Sequence, residues 1–132
     1  MYTISSPLYI FKNKRLDKWY IHLNNALSLQ GRVYNTYKVR YSDQMSDTVS
    51  ELPVFDKVRL IFTFYPGTKR RCDLSNMCSI IDKFICDVLV RSGKIPDDDY
   101  HHIPSIHYEF GSLDRENPRV DIQIIPIKEE EC

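Results

Sequence analysis

Apolar and polar residues recur along the chain in short segments whose periods name the elements. Residues 2–11, "YTISSPLYIF", are rich in β-branched and aromatic side chains and predict an extended segment. Pro7 marks an edge or bulge in it, because proline has no N–H for a sheet ladder. "KNKRLD" predicts a turn, and the rough alternation of "KWYIHLN" predicts a strand returning as a hairpin. Between 27 and 49, Val33, Tyr34, Tyr37, Tyr41, Met45 and Val49 recur at three- and four-residue spacing, the period of one helix face, with Gly31 weakening the start. "KVRLIFTFYP" (57–66) is the strongest strand of the chain, and "PGTKRR" ends it.

A second helix follows. Met77, Ile81, Phe84 and Val88 lie at i, i+4, i+7 and i+11, joined by Ile80, Ile85 and Leu89. Asp73 or Ser75 caps its start, and Gly93 with Pro96 stops it. "SIHYEFG" (105–111) and "RVDIQIIPI" (119–127) predict two strands joined by the polar turn "SLDRENP". The order strand, strand, helix, strand, helix, strand, strand predicts an α+β fold. In it, two main helices cover one face of a mixed four- to five-stranded sheet.

The length fits one domain, residues 1–127, with "KEEEC" (128–132) as an acidic solvated tail. No apolar run approaches the roughly 18 residues of a membrane span. The N-terminus lacks the charged leader and apolar stretch of a secretory signal, so a cytoplasmic protein is expected. The cysteines at 72, 78, 86 and 132 form no CxxC, and Cys78 and Cys86 fall inside the helical pattern, so reduced thiols are expected.

The formal net charge is zero, but it is unevenly laid out. Residues 1–71 hold 12 Lys/Arg against 5 Asp/Glu, and residues 72–132 hold 6 against 13. The first half suits a phosphate-facing surface and the second can supply metal ligands, unless the two simply pair across the fold. Lys69, Arg70 and Arg71 stand immediately before a helix N-terminus, where basic side chains and free N–H groups together favour a phosphate. Asp73 in the same turn is either an N-cap or, joined to the anion by a divalent cation, part of a phosphodiester-cleaving site. Asp97, Asp98 and Asp99 repel one another, a strain that a hard cation relieves; an ordinary solvated acidic loop is the other reading.

"KRRCDLSN", an amphipathic helix and then "DDD" after a glycine-containing turn resemble the RusA family of Holliday junction resolvases, endonucleases of phages and prophages. "VRLIFTFYP" resembles the strand before that family's motif, and "IHYEFG…NPRVDIQI" the two strands that end its fold. The likeness spans about residues 18–127. It implies a homodimer in a bacterial cytoplasm that binds branched DNA, the four-way junction, and cuts it with Mg²⁺, or alternatively Mn²⁺, held by aspartates. Carried over by position, Asp73 matches the motif's first Asp, Asn76 its Asn, and Asp97 or Asp98 the acidic pair. Ser75 stands where a second Asp is usual, and Ser79 where the helix lysine is; Lys83, one turn further along, supplies a lysine. The resemblance thus implies Asp73, Asp98 and Lys83 as catalytic, Asp73, Asp97 and Asp98 as metal ligands, and Lys69, Arg70 and Arg71 on the DNA backbone. Because Ser75 replaces a carboxylate, a relative that binds junctions or a host protein without cleaving is the alternative, and a phage structural or regulatory domain a third.

Two further expectations come from helix geometry. Asp82 lies seven residues after Ser75, on nearly the same face but about 10 Å along the axis, too far to share a metal with Asp73. It is expected as a supporting, DNA-facing or dimer-contact residue. From Asn76 to about Ser92 the helix is about 25 Å long, so Asp98 starts far from Asp73. Two antiparallel copies of the helix would bring Asp98 of one protomer to Asp73 of the other. Lys14, Arg15 and Lys18 are expected on a DNA-facing surface, with Trp19, Tyr20, His22 and Tyr34 divided between that surface and the core. His101, His102 and His107 are weak metal candidates, since adjacent side chains of an extended segment point apart.

Overall fold

The computed structural model describes residues 1–128, so Cys132 and all of the expected acidic tail beyond Lys128 lie outside the described residues. The elements are β1 (Tyr2–Ser6), β2 (Tyr9–Phe11), β3 (Lys18–Tyr20), α1 (Leu23–Leu27), α2 (Gly31–Ser50), β4 (Val58–Tyr65), α3 (Leu74–Arg91), β5 (Ser105–Phe110) and β6 (Arg119–Pro126). Four strands form a mixed sheet in the order β1-β6-β4-β5, with β4 parallel to β5 and antiparallel to β6. The fold is α+β, with a four-stranded sheet and helices on one face.

The pattern of β4 explains its central place. Val58, Leu60, Phe62 and Phe64 are buried and alternate with Arg59, Ile61, Thr63 and Tyr65, which face the other way. Val120, Ile122 and Ile124 of β6 and Ile4 of β1 continue the buried face. Tyr41, Met45 and Val49 of α2 fall one turn apart and close over it. Tyr41 carries its hydroxyl inside, where it shares a 2.7 Å hydrogen bond with Ser6, so neither buried hydroxyl is left unpaired. The Phe84 ring packs between Tyr34 and Tyr41, at centroid distances of 5.5 and 5.4 Å, and locks α2 to α3. α3 is buried on more than one stripe because the sheet covers one side of it and α1 and α2 the other.

Three expectations about the elements change. The extended segment 2–11 is two strands: the chain breaks at Pro7, β1 joins the main sheet, and β2 pairs with β3 in a separate two-stranded sheet. The helix expected at 27–49 begins four residues later, as α2 at Gly31, and a separate short helix, α1, precedes it where the end of the expected strand and the start of the expected helix lay. Finally, β5 and β6 do not pair, since β4 lies between them, and the polar segment 111–118 crosses the end of β4.

The hairpin β2–β3 lies over α2 through Trp19 on Tyr37 (5.0 Å) and the Phe11 N–H donating to Gln44 (2.9 Å). At its tip Leu16 has φ +62°, a left-handed conformation that costs a branched residue about 1 kcal/mol or more. The Asn13 side chain holds that turn by accepting from the N–H groups of Arg15 and Asp17. No helix among the described residues is long and apolar enough to cross a membrane.

Candidate functional site

Two loops meet at the C-terminal end of β4. The segment 66–73 leads from β4 into α3, and 111–118 leads from β5 to β6. Gly111 donates to the Phe64 carbonyl (2.8 Å), which extends the β4–β5 pairing by one residue, and Asp114 donates to the Pro66 carbonyl (2.8 Å). Glycine is required at both ends of this junction by close approach. A Cβ on Gly67 would stand 2.6 Å from the Pro118 ring, and one on Gly111 would stand 2.5 Å from the Tyr65 ring. Tyr65 is held in turn by the Arg119 guanidinium, 4.1 Å from its centroid. Arg119 donates to Asp114 at 2.8 Å and to Asp121 at 3.0 Å. The Asn117 N–H (3.1 Å) and then Arg119 hold the Asp114 carboxyl below its ordinary pKa, and the bonds to Asp114 and Asp121 hold the Arg119 guanidinium above its own.

Between the loops lies an open groove of about 600 Å³. Its floor is apolar, with Phe64, Leu74, Phe110 and Leu113, and its rim is Lys69, Arg70 and Arg71. No carboxylate of a described residue lines it. Phe110 is 61% exposed although it lies on the same side of the edge strand β5 as Tyr108, which packs against the core. The charge of Arg70 reaches the half-buried imidazole of His22, whose pKa is lowered first by burial and then by that cation. The exit of the β2–β3 hairpin therefore meets the same end of α3.

Asp73 caps α3. Its carboxylate accepts from the Asn76 N–H at 2.7 Å, and of the two cap candidates it, not Ser75, occupies the N-cap position. The Asn76 side chain accepts from the Asn24 N–H (3.1 Å) and so ties α1 to α3, while Ser75 is exposed. The Ser79 hydroxyl is buried and has no hydrogen-bond partner among the described residues.

The acidic triplet stays at the opposite end. α3 has 18 residues and is about 27 Å long. Beyond it, Lys94 donates to the Leu89 carbonyl (2.9 Å), Phe55 to the Lys94 carbonyl (2.6 Å) and Val58 to the His102 carbonyl (2.9 Å). These bonds fasten residues 94–102 to the last turn of α3 and the start of β4. Asp97 accepts from the Asp98 N–H (2.7 Å), and Asp99 from the N–H groups of His101 and His102 (3.0 and 3.2 Å). His102 faces the Asp56 carbonyl (2.9 Å), and His101 is exposed.

Asp82 is committed within the chain. It accepts from the Tyr108 hydroxyl at 2.6 Å and from the Cys86 thiol at 3.2 Å, which clamps β5 to α3. Asp82, expected as a supporting, DNA-facing or dimer-contact residue, is thus half-buried and engaged with Tyr108 and Cys86 of its own chain. Burial pushes the Cys86 thiol and the Tyr108 hydroxyl well above their ordinary pKa, and the carboxylate of Asp82 adds to both. Burial likewise pushes Cys78 up to about 12. Asp98 raises and Lys83 lowers the Cys86 pKa, so both lie toward the C-terminal half of α3 with Asp82. Lys83 stands ten residues, about 15 Å along the axis, from Asp73.

One chain therefore does not by itself bring the expected metal ligands Asp73, Asp97 and Asp98 together. Asp73 and Asp97–Asp99 occupy opposite ends of a rigid helix, and among the described residues no three His, Cys, Asp or Glu side chains group closely enough to hold a metal. The basic residues Lys69, Arg70 and Arg71 do come together, on one groove. Lys14, Arg15 and Lys18 ride on the separate hairpin, with Lys18 stacked 4.3 Å over the Tyr9 ring. Trp19 and Tyr34 pack against the core, and Tyr20 is exposed. The groove's apolar half, Phe110 and Leu113 above all, is what sequence reasoning missed. The alternation Ile106, Tyr108, Phe110 was visible, but not that of the three only Tyr108 would pack against the core.

Neither a model of a known protein family nor a curated protein matches this chain.

Proposed function

We propose that the chain acts on branched DNA as a RusA-like, structure-selective endonuclease, working as a homodimer. The observation that carries this reading is the groove at the N-terminus of α3. There, three adjacent cations with no carboxylate among them meet a helix start, an arrangement suited to a phosphate backbone. Asp73 stands next to that rim, and Asp98 lies a helix length away. Two antiparallel copies of α3 would bring the Asp98 of one protomer to the Asp73 of its partner, so that one cutting site draws on both. Lys69, Arg70 and Arg71 hold the scissile strand, and Lys14, Arg15 and Lys18 extend the contact along an arm. A second reading rests on Asp73 itself, whose carboxylate already caps α3 while Ser75 offers no second one. On that reading the protein binds junctions without cutting them.

A labelled synthetic four-way junction, incubated with and without Mg²⁺, separates the two. Symmetrical nicks that vanish in Asp73→Asn support the endonuclease; tight junction binding without nicks supports the second reading. Mixing Asp73→Asn with Asp98→Asn protomers then tests the shared site. Recovered cleavage in the mixture supports it, and no recovery from two individually inactive variants sinks it.

A further inference from the structure

Holding a DNA backbone needs cations, but it does not need an apolar floor. In a stacked duplex the bases face inward, and a protein on its backbone meets phosphates and sugars. The groove between the 66–73 and 111–118 loops nevertheless sets Phe110 and Leu113, 61% and 37% exposed, directly under Lys69, Arg70 and Arg71. Its volume of about 600 Å³ falls within the range of small-molecule sites, roughly 300–1,000 Å³. Its walls are fixed by the close contacts of Gly67 with Pro118 and Gly111 with Tyr65 and by the Asp114–Pro66 hydrogen bond, so it is formed before any ligand arrives. An aromatic face exposed beside cations is the combination that holds unpaired nucleotides, the base stacking and the phosphate neutralised.

We propose that this groove takes one unpaired nucleotide of the DNA, its base against Phe110 and its phosphate on Lys69, Arg70 and Arg71. This rests on the DNA-binding reading above and deepens it: selectivity for branched DNA comes from a base that leaves the stack at the branch, where unpairing costs least. Phe110 is then the residue that tells a branch from a duplex, while the cations hold both alike.

The test uses the full chain and two oligonucleotides of equal length. One is a continuous duplex; the other is a duplex with a short single-stranded gap carrying 2-aminopurine. Wild type, Phe110→Ala and Phe110→Trp are titrated against each. Because Phe110 is exposed, circular dichroism and the thermal midpoint should match across the three proteins, and Phe110→Trp keeps the stacking face in any case. The expected result is quenching of 2-aminopurine by wild type and Phe110→Trp, with about a 5- to 150-fold loss of gapped-DNA affinity in Phe110→Ala and unchanged duplex affinity. DNA binding with no difference between Phe110→Ala and wild type, or an equal loss on both substrates, overturns the inference and leaves the DNA-binding reading standing. Dissociation of a dimer by Phe110→Ala without any change in gapped-DNA binding also overturns it, since a second copy of the chain is then the occupant. Failure of wild type to bind either oligonucleotide overturns both.

Discussion

At its N-terminal end α3 meets Lys69, Arg70 and Arg71, all exposed, and no hydrogen bond or ion pair ties their side chains to another described residue. At its C-terminal end most of the charged side chains, though not Asp98, are engaged. Asp97 and Asp99 accept from backbone N–H groups, Asp87 lies between Lys38 (3.6 Å) and Arg91 (3.7 Å), and Lys94 donates to the Leu52 carbonyl at the end of α2 (2.7 Å). One helix therefore carries an end that builds the fold and an end that is free to bind. In sequence the acidic triplet was the more conspicuous cluster, yet in the fold it largely shapes a turn. A run of like charge becomes a ligand site only where the backbone does not use it first.

The sharpest way to break this comparison is to neutralise each end separately. The Lys69→Gln, Arg70→Gln, Arg71→Gln triple variant should lose on the order of a hundredfold in DNA affinity at about 0.1 M salt, with the slope of log affinity against log salt falling by about three. The Asp97→Asn, Asp98→Asn, Asp99→Asn triple variant should bind as tightly as wild type or tighter, because it removes only repulsion. Fluorescence anisotropy over a salt series measures both. Equal losses in the two would mean that the ends are not functionally distinct.

Between the ends, α3 is dry, and a pH titration sharpens that difference. Burial raises the pKa of Cys86 and Tyr41, the latter fully inside the fold, far above their values in an unfolded chain. A raised folded pKa means that the contribution is fully present below the unfolded pKa. It is lost as pH rises above that value, because the unfolded chain releases protons that the folded chain keeps. Stability should be flat from pH 6 to 8 as far as these groups are concerned. It should then fall by about 2–3 kcal/mol between pH 8 and 10.5, first from the thiol and then from the phenol. Denaturant melts across that range measure it, and Tyr41→Phe should flatten the upper part of the fall. An unchanged midpoint up to pH 10.5 would mean that these groups are not buried as described.

Most of the fold was legible because period and burial agree. The alternation of β4 and the three- and four-residue spacing of α2 and α3 are local signals, and the core fixed them in place. Sheet order was not legible. The segments 105–110 and 119–126 follow one another across a polar turn, and nothing in their pattern shows that β4 lies between them. The basic half of the site was visible as "KRR"; its apolar half depends on which side chains of the edge strand β5 the core leaves exposed, which no local pattern encodes. Asp82 shows the same limit from the other side. Its place on the helix follows from the helical repeat, but its partners Tyr108 and Cys86 come from the fold, one of them 26 residues away.

The smallest expected effect decides how Asp73 should be read. As an N-cap, its replacement by alanine removes the acceptor of the Asn76 N–H and should cost about 1 kcal/mol. Asparagine is nearly as good a cap as aspartate, so Asp73→Asn should leave the thermal midpoint almost unchanged. Asp98 accepts no hydrogen bond comparable to that cap among the described residues, so Asp98→Asn should be neutral as well. The pair of Asp73 variants thus separates two roles that one carboxylate can hold at once. If Asp73→Asn keeps stability and junction affinity but abolishes nicking, the negative charge serves chemistry and capping is incidental. If Asp73→Ala alone is impaired, and only in stability, then the cap is its whole role, and the free basic end of α3 is a binding site without a blade.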